Sequence, residues 1–378
     1  MATKKKNTET TTPAGMSLAD KLALLDRIAE DANTSAGRVV MGRVGASDAM
    51  KERLRIKWIE TPNFAFNKAV GGGLPRGRLT YISGNPDSGK SVFCAETIGY
   101  QQQQDPDFVA VWVETEESLT NDIIEMCGID PQRFFVIEFT KDTAMEKVSD
   151  QLYGILTSMP VDMIVINSMK HLVPQSELNT DMSGSAGVAV AARANARMAR
   201  RLSPVVSERD TAFVIITHTH TDIAAYGAPQ TISGGRGLRY WSSLTLFFSK
   251  VSIGASDPIT KDQGIKIAVT VRKNHCIPAQ NVYVRFEYYA LFGQGTEQVL
   301  PLIPELESQG IIRRGGATIY VLDPEGKELG KYPGKSAFRD AMLANPALWR
   351  SLTDRLNTCG NITQLSEEEI AEIEAEKE

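Results

Sequence analysis

One eight-residue string carries the clearest chemistry in the chain: Gly84-Asn85-Pro86-Asp87-Ser88-Gly89-Lys90-Ser91, a G-x-x-x-x-G-K-[ST] pattern. Its glycines let main-chain N–H groups turn inward around phosphate oxygens, and a helix opening after the loop adds partial positive charge at its N-terminus. Lys90 has the length and charge to meet the β- and γ-phosphates of a nucleoside triphosphate such as ATP, and Ser91 offers a hydroxyl to Mg²⁺. The string follows the apolar run Leu79–Ser83 and precedes a helical stretch, the strand–loop–helix context this chemistry requires.

Phosphate cleavage also needs a group that orients water. After the apolar run Phe108–Val113 come Glu114, Glu116 and Glu117, at the C-terminal end of a strand, where α/β sheets place their ligands. Glu114 and Glu116 fall on one side of an extended segment, and one of them is the expected base. The run Val161–Ile166 ends in Asn167, where such a strand usually carries Asp to hold the metal or its water. Asn167 has no charge, so Mg²⁺ leans on Ser91, phosphate oxygens and water. His218 and His220 close the run Ala212–Thr217, but two histidines without further nearby ligands make a poor metal site. The four cysteines, at 94, 127, 276 and 359, form no C-x-x-C pair and read as free thiols in a reducing compartment.

The elements that must position these residues are legible from residue 56 to about 295. Strand candidates are Leu79–Ser83, Phe108–Val113, Phe134–Glu138, Met163–Ile166, Ala212–Thr217, Ser243–Phe248, Ile265–Arg272 and Val282–Tyr289, with helices at Ser91–Gln103, Leu119–Met126, Thr143–Ser158 and Val188–Val206. This alternation predicts an α/β fold with a mostly parallel central sheet, and the last strands, joined without helices, predict an antiparallel extension. Residues 1–16 read as a disordered leader. In 17–55, an amphipathic helix from Ser17 to about Ala32 repeats Leu18, Leu22, Leu25, Ile28 and Ala29, and suits docking on a neighbouring subunit or on its own domain. A small α+β domain is expected over 297–360: a helix Glu297–Ser308, a hairpin through Thr318–Leu322 and Asp323–Gly326, and two helices around Asn345-Pro346.

The net charge of −5 comes largely from the end of the chain, where residues 366–378 hold seven Glu and one Lys. The acidic tail, 361–378, is either a solvated end or a shield over a basic groove. No stretch of ~18 apolar residues predicts a membrane span. The polar first dozen residues lack the apolar run of a secretory signal, so the expected location is the cytoplasm of a cell or bacterial host.

The chain resembles RecA-type homologous recombinases, including their phage-encoded members. The resemblance is carried by Gly71–Gly77 before the phosphate-loop strand, by Val161–Ser168, by Ala191–Leu202, and most specifically by Tyr226-Gly-Ala-Pro-Gln-Thr-Ile-Ser-Gly-Gly235. It spans about residues 17–350 and implies a RecA-like ATPase core over 56–296 with ATP and Mg²⁺ as cofactors. It also implies that Glu116 activates water and that His218 couples the γ-phosphate to DNA. In the same way Lys273, with His275 or Arg272 at a second position, reaches the nucleotide of a neighbouring protomer. The resemblance also implies two DNA loops, about 173–187 and 219–235. Gly234 and Gly235 allow close approach to phosphate, Arg236 stands beside them, and Tyr226 offers a stacking surface. Arg193, Arg197, Arg200 and Arg201 form a basic stripe on the helix after the first loop.

The implied function is a DNA-dependent ATPase that polymerises on single-stranded DNA and pairs it with homologous duplex DNA in recombination and repair. A loader or single-strand-binding protein is a further partner class. Two other readings use the same phosphate loop: a ring-forming helicase or KaiC-like motor, and a nucleotide-switched recombination mediator with weak hydrolysis, the latter motivated by Asn167.

Overall fold

The computed structural model describes residues 16–140, 143–178, 188–220, 231–232, 235–255, 257–277 and 284–358. The expected leader, Tyr226, Gly234, the acidic tail, most of the first DNA loop and the middle of the second lie outside the described residues. The chain divides into two compact units, Met1–Ile56 and Lys57–Glu378.

In the first unit, α1 (Leu18–Ala36) starts where the Ser17 side chain accepts from the Asp20 N–H. It runs a turn past the expected end at Ala32, to Gly37, which takes the left-handed conformation at φ 65° that closes a helix. Asn33 Oδ1 accepts from the N–H groups of Val40 and Met41 and turns the chain back. A short helix, α2 (Asp48–Leu54), comes next. Ala29 is buried, whereas Leu18, Leu24, Leu25 and Ile28 are exposed.

The second unit opens with β1 (Trp58–Ile59), α3 (Phe64–Val70) and β2 (Leu74–Pro75), then β3 (Leu79–Gly84) and α4 (Lys90–Gln104). The chain continues through β4 (Ala110–Glu114), α5 (Asn121–Met126), β5 (Phe134–Glu138), α6 (Met145–Ser158), β6 (Met163–Asn167), α7 (Gln175–Leu178) and α8 (Val188–Arg209). After these come β7 (Ala212–His220), β8 (Thr231–Ile232), α9 (Gly235–Trp241), β9 (Leu244–Val251), β10 (Gly264–Asn274), β11 (Arg285–Leu291) and β12 (Gly295–Glu297). The sheet order is β12-β11-β10-β9-β3-β7-β6-β4-β5. From β9 to β5 the pairings are parallel, and β10, β11 and β12 add antiparallel strands, as the alternation predicts.

Successive residues of each central strand serve opposite faces, as the two-residue strand period requires. Ile82, Ala110, Trp112, Val165 and Val214 pack with α4, and Tyr81, Val111, Val113, Ile164 and Phe213 pack with α6 and α8. Strands buried on both faces are near-continuous in apolar residues, which is why they stand out in the sequence.

The C-terminal part has its own core and a three-stranded antiparallel sheet, β13 (Ile312–Gly315), β14 (Thr318–Leu322) and β15 (Glu328–Pro333), covered by α10 (Ile303–Ser308), α11 (Lys335–Ala344) and α12 (Pro346–Thr358). The expected helix over Glu297–Ser308 is shorter. Glu297 ends β12, and its carboxylate accepts from the N–H groups of Val299 and Leu300. Pro301 and Pro304 each fit only the first turn of a helix, so a short 3₁₀ turn at Leu300–Leu302 precedes α10, which starts at Ile303. The second expected loop, 219–235, also begins and ends differently: Thr219 and His220 continue β7 and pair antiparallel with Ile232 and Thr231, and Gly235 already belongs to α9.

Candidate active site

The phosphate loop leaves β3 at Gly84 and enters α4 at Lys90, at the C-terminal edge of the parallel sheet. A Cβ on Gly84 would lie 2.1 Å from the carbonyl oxygen of Phe248 on β9, so the strand beside it leaves no room for a side chain. Gly89 sits at φ 80° and caps α4 without a side chain. Inside the loop, Ser88 Oγ donates to the Asn85 carbonyl at 2.8 Å, and Lys90 Nζ donates to the same carbonyl at 2.6 Å and to Ser88 Oγ at 3.3 Å. Burial brings the Lys90 ammonium down to about 8, against the opposing pull of Glu116, Asp87 and Cys94. A buried cation and the N-terminus of a fifteen-residue helix fit the polyphosphate of ATP, and Ser91 Oγ at the helix start fits Mg²⁺.

Asn167 at the end of β6 accepts from Ser91 Oγ at 2.9 Å through Oδ1, while its Nδ2 donates to Glu114 Oε2 at 3.3 Å and to Ser118 Oγ at 3.0 Å. Glu114 is buried and accepts from Trp112 Nε1, from the Glu116 and Ser118 N–H groups and from Asn167. With all these donors on it, Glu114 belongs to the frame of the site. An acceptor-only carboxylate obliges the amide to turn its NH₂ toward it, so the Asn167 oxygen must face Ser91. The negative charge missing from β6 therefore lies one strand over.

Glu116 separates from Glu114 here. His218 Nε2 lies 2.7 Å from Glu116 Oε1, and Ser168 Oγ donates to the same oxygen. Burial by itself would raise the Glu116 carboxyl. The hydrogen bonds from His218 and Ser168, with the charges of His218 and His171, together outweigh it and bring the group down to about 2. Pro86, Thr115, Glu116, Glu117, Lys170, His171, His218 and Thr219 line a cavity of about 450 Å³ at this edge. Thr219 Oγ1 donates to Asn85 Oδ1 at 2.9 Å, tying the end of β7 to the phosphate loop.

Sequence reasoning missed His171, Ser168 and the Thr219–Asn85 tie. Their only sequence signal is position: Ser168 directly follows β6 and His171 stands three residues further on, while Thr219 lies near the end of β7.

Lys273 and His275 are not brought to this cavity within one chain. Lys273, on β10, donates to the carbonyls of Arg239, Tyr240 and Ser242 at 2.9, 3.2 and 2.5 Å and so caps the C-terminus of α9; His275 is exposed just beyond the strand. Burial first, and Arg239 second, lower the Lys273 ammonium. Arg193, Arg197, Arg200 and Arg201 are all exposed on α8, and Arg201 also pairs with Asp150 and stacks 4.7 Å from the Tyr153 ring centroid. Arg193 and Arg197 line a groove of about 300 Å³ with Met145 and Glu146 of α6. Gly235 and Arg236 open α9. Cys94 and Cys127 are free and buried. Among the described residues no helix is long and apolar enough to cross a membrane.

A parallel sheet with a phosphate loop, a buried lysine and a carboxylate–histidine pair at its C-terminal edge defines a P-loop ATPase core. The comparisons with known proteins narrow this class. The RecA N-terminal domain family model matches residues 25–296. Protein RecA of Trichormus variabilis is 30% identical over 299 residues, 79% of each chain. Protein RecA of Thermus aquaticus is 32% identical over 270 residues, 70% of this chain and 76% of its own, and that of Aquifex aeolicus 27% over 320 residues, 84% and 88%. The chain belongs to the RecA family of recombinases, ATP-binding proteins of DNA recombination and repair.

Proposed function

We propose that this protein hydrolyses ATP in a DNA-dependent manner, assembles as a helical filament on single-stranded DNA, and promotes homologous pairing and strand exchange. The observation that carries the reading is the Glu116–His218 contact, because it joins the residue best placed to orient water to the strand that runs into the second DNA loop.

In this reading Lys90 releases the Asn85 carbonyl and pairs with the β- and γ-phosphates, and Ser91 turns its oxygen to Mg²⁺ while Asn167, held by Glu114, steadies it. Mg²⁺ supplies charge neutralisation on the phosphate oxygens. Glu116 orients the attacking water. A carboxylate at about 2 is a weak proton acceptor, which suits phosphoryl transfer, whose loose transition state depends more on placement and charge than on early proton removal. Lys273 serves the neighbouring protomer, so reaching a phosphate means leaving the carbonyls of α9. Arg193, Arg197 and Arg200 contact the DNA backbone, with Gly234, Gly235, Arg236 and Tyr226 contributing from the second loop.

Self-assembly is supported by exposed apolar side chains at two places: Leu18, Leu24, Leu25 and Ile28 on α1, and Phe135 and Val136 on β5, the edge strand of the sheet. Different patches meeting head-to-tail give an open polymer when the rotation does not close.

The test is steady-state ATP hydrolysis with and without single-stranded DNA at several protein concentrations. Strong stimulation with a cooperative concentration dependence is expected. Intact ATP binding with negligible hydrolysis would favour a nucleotide-switched mediator, and DNA-independent closed rings in electron micrographs would favour a motor.

A further inference from the structure

Glu116 is held from a second direction. His171 ends the short turn Met169–His171 that comes after β6, and its Nδ1 stands 3.6 Å from Glu116 Oε1. His218 reaches the same oxygen at 2.7 Å from the end of β7, and Ser168 Oγ donates to it as well. The contacts described for this carboxylate thus converge on Oε1, from two different crossovers of the sheet.

We infer that His171 is a positioning residue for hydrolysis: with His218 it fixes Oε1 between two imidazoles and so presents Oε2 to the attacking water. The inference rests on the reading of Glu116 as the water-orienting group. The terminal torsion of a carboxylate is broad, and the His218 and Ser168 hydrogen bonds to Oε1 narrow it. His171 adds a third contact to the same oxygen, and placement within a fraction of an ångström is what an in-line attack depends on. At 3.6 Å the His171 contact is longer than a direct hydrogen bond and is a polar contact to Oε1 at the edge of the cavity. The His171 side chain is 46% exposed, so solvent screens the contact, and its weight falls on geometry rather than on folding stability. Among the described residues, the other charged groups around Glu116 include Lys90 on α4 and Lys170 and Glu117 on the cavity wall. Lys90 does not substitute for His171, since it is turned into the loop, onto Asn85 and Ser88.

The experiment is DNA-stimulated ATP hydrolysis by the full chain carrying His171→Ala, His171→Gln or His171→Phe, with nucleotide affinity measured separately by equilibrium titration with a fluorescent ATP analogue. His171→Ala should lower kcat about tenfold while KM and nucleotide affinity stay within about twofold of the parent. His171→Gln, which keeps a polar N–H group facing Oε1, should recover most of the rate, and His171→Phe, which fills the space without a polar group, should not. A parental kcat in His171→Ala, or a Phe variant as active as the Gln variant, overturns the proposal. Glu116→Gln run alongside separates two failures. If it hydrolyses at the parental rate, the reading of Glu116 falls and takes this proposal with it; if it collapses while His171→Ala is unaffected, His171 alone is excluded.

Discussion

Asn167 Nδ2 donates to Glu114 Oε2 across 3.3 Å, so the amide ending one strand leans on the buried carboxylate ending the next. Two carboxylates cannot both ionise at that spacing. Asn167→Asp, which looks like a return to the usual metal-holding residue, should therefore destabilise the fold by about 3 kcal/mol at pH 8. Adding Glu114→Gln should relieve the loss. Thermal melts of both variants at pH 8 check the two points; a single variant as stable as the parent would show that the amide contact carries no such constraint.

Lys90 carries the nucleotide affinity. Lys90→Ala should abolish measurable ATP binding in an equilibrium titration. In the parent, burial already brings the ammonium down to about 8, and binding requires the charged form. Affinity should thus be flat below pH 8 and fall above it, approaching tenfold per pH unit. Affinity that holds to pH 10 would place the cation elsewhere.

Glu116 is ionised far into acid, with its carboxyl at about 2 against an ordinary 4.5. A depressed carboxyl adds stability above its unfolded value and loses it as pH falls through the folded one. Glu116→Gln should be less stable than the parent at neutral pH, with the gap narrowing between pH 4.5 and 2. At neutral pH its hydrolysis should drop by about 10² or more while ATP binding persists. Retained hydrolysis would transfer the role to another group.

Assembly should fail through either apolar surface alone. Leu25→Asp on α1 and Phe135→Asp on β5 each place a charge where a neighbouring chain would bury a hydrocarbon. Sedimentation with ATP and single-stranded DNA should show short oligomers for both variants, with ATP binding to the isolated chain unchanged. Full-length polymers from both would move the interface to other surfaces.

The core was legible because its central strands are buried on both sides and read as unbroken apolar runs; the run Met163–Ile166 is found as β6, one residue longer and buried throughout. Helix ends were less so. A helix stops where a backbone group finds another partner, as at Gly37, or where a carboxylate such as Glu297 claims the first N–H groups, and neither event has a periodic signature. In the site, the phosphate loop is a contiguous string and could be read directly. The choice between Glu114 and Glu116 could not, since both precede the same turn, and only the Trp112 indole, Ser118 and Asn167 reveal which of them is committed to the frame. His171 escaped notice because its partner lies 55 positions away on another strand.

Gly84 opens the phosphate-binding string, yet the atom that forbids it a side chain is the Phe248 carbonyl oxygen of the adjoining strand. Replacing it with alanine would wedge β3 from β9 before any phosphate was met, and the damage would spread along the parallel pairing from Gly84–Phe248 back to Thr80–Leu244. The motif's first letter is thus a joint of the sheet, and a variant there that fails to bind nucleotide reports a displaced strand rather than a missing ligand contact.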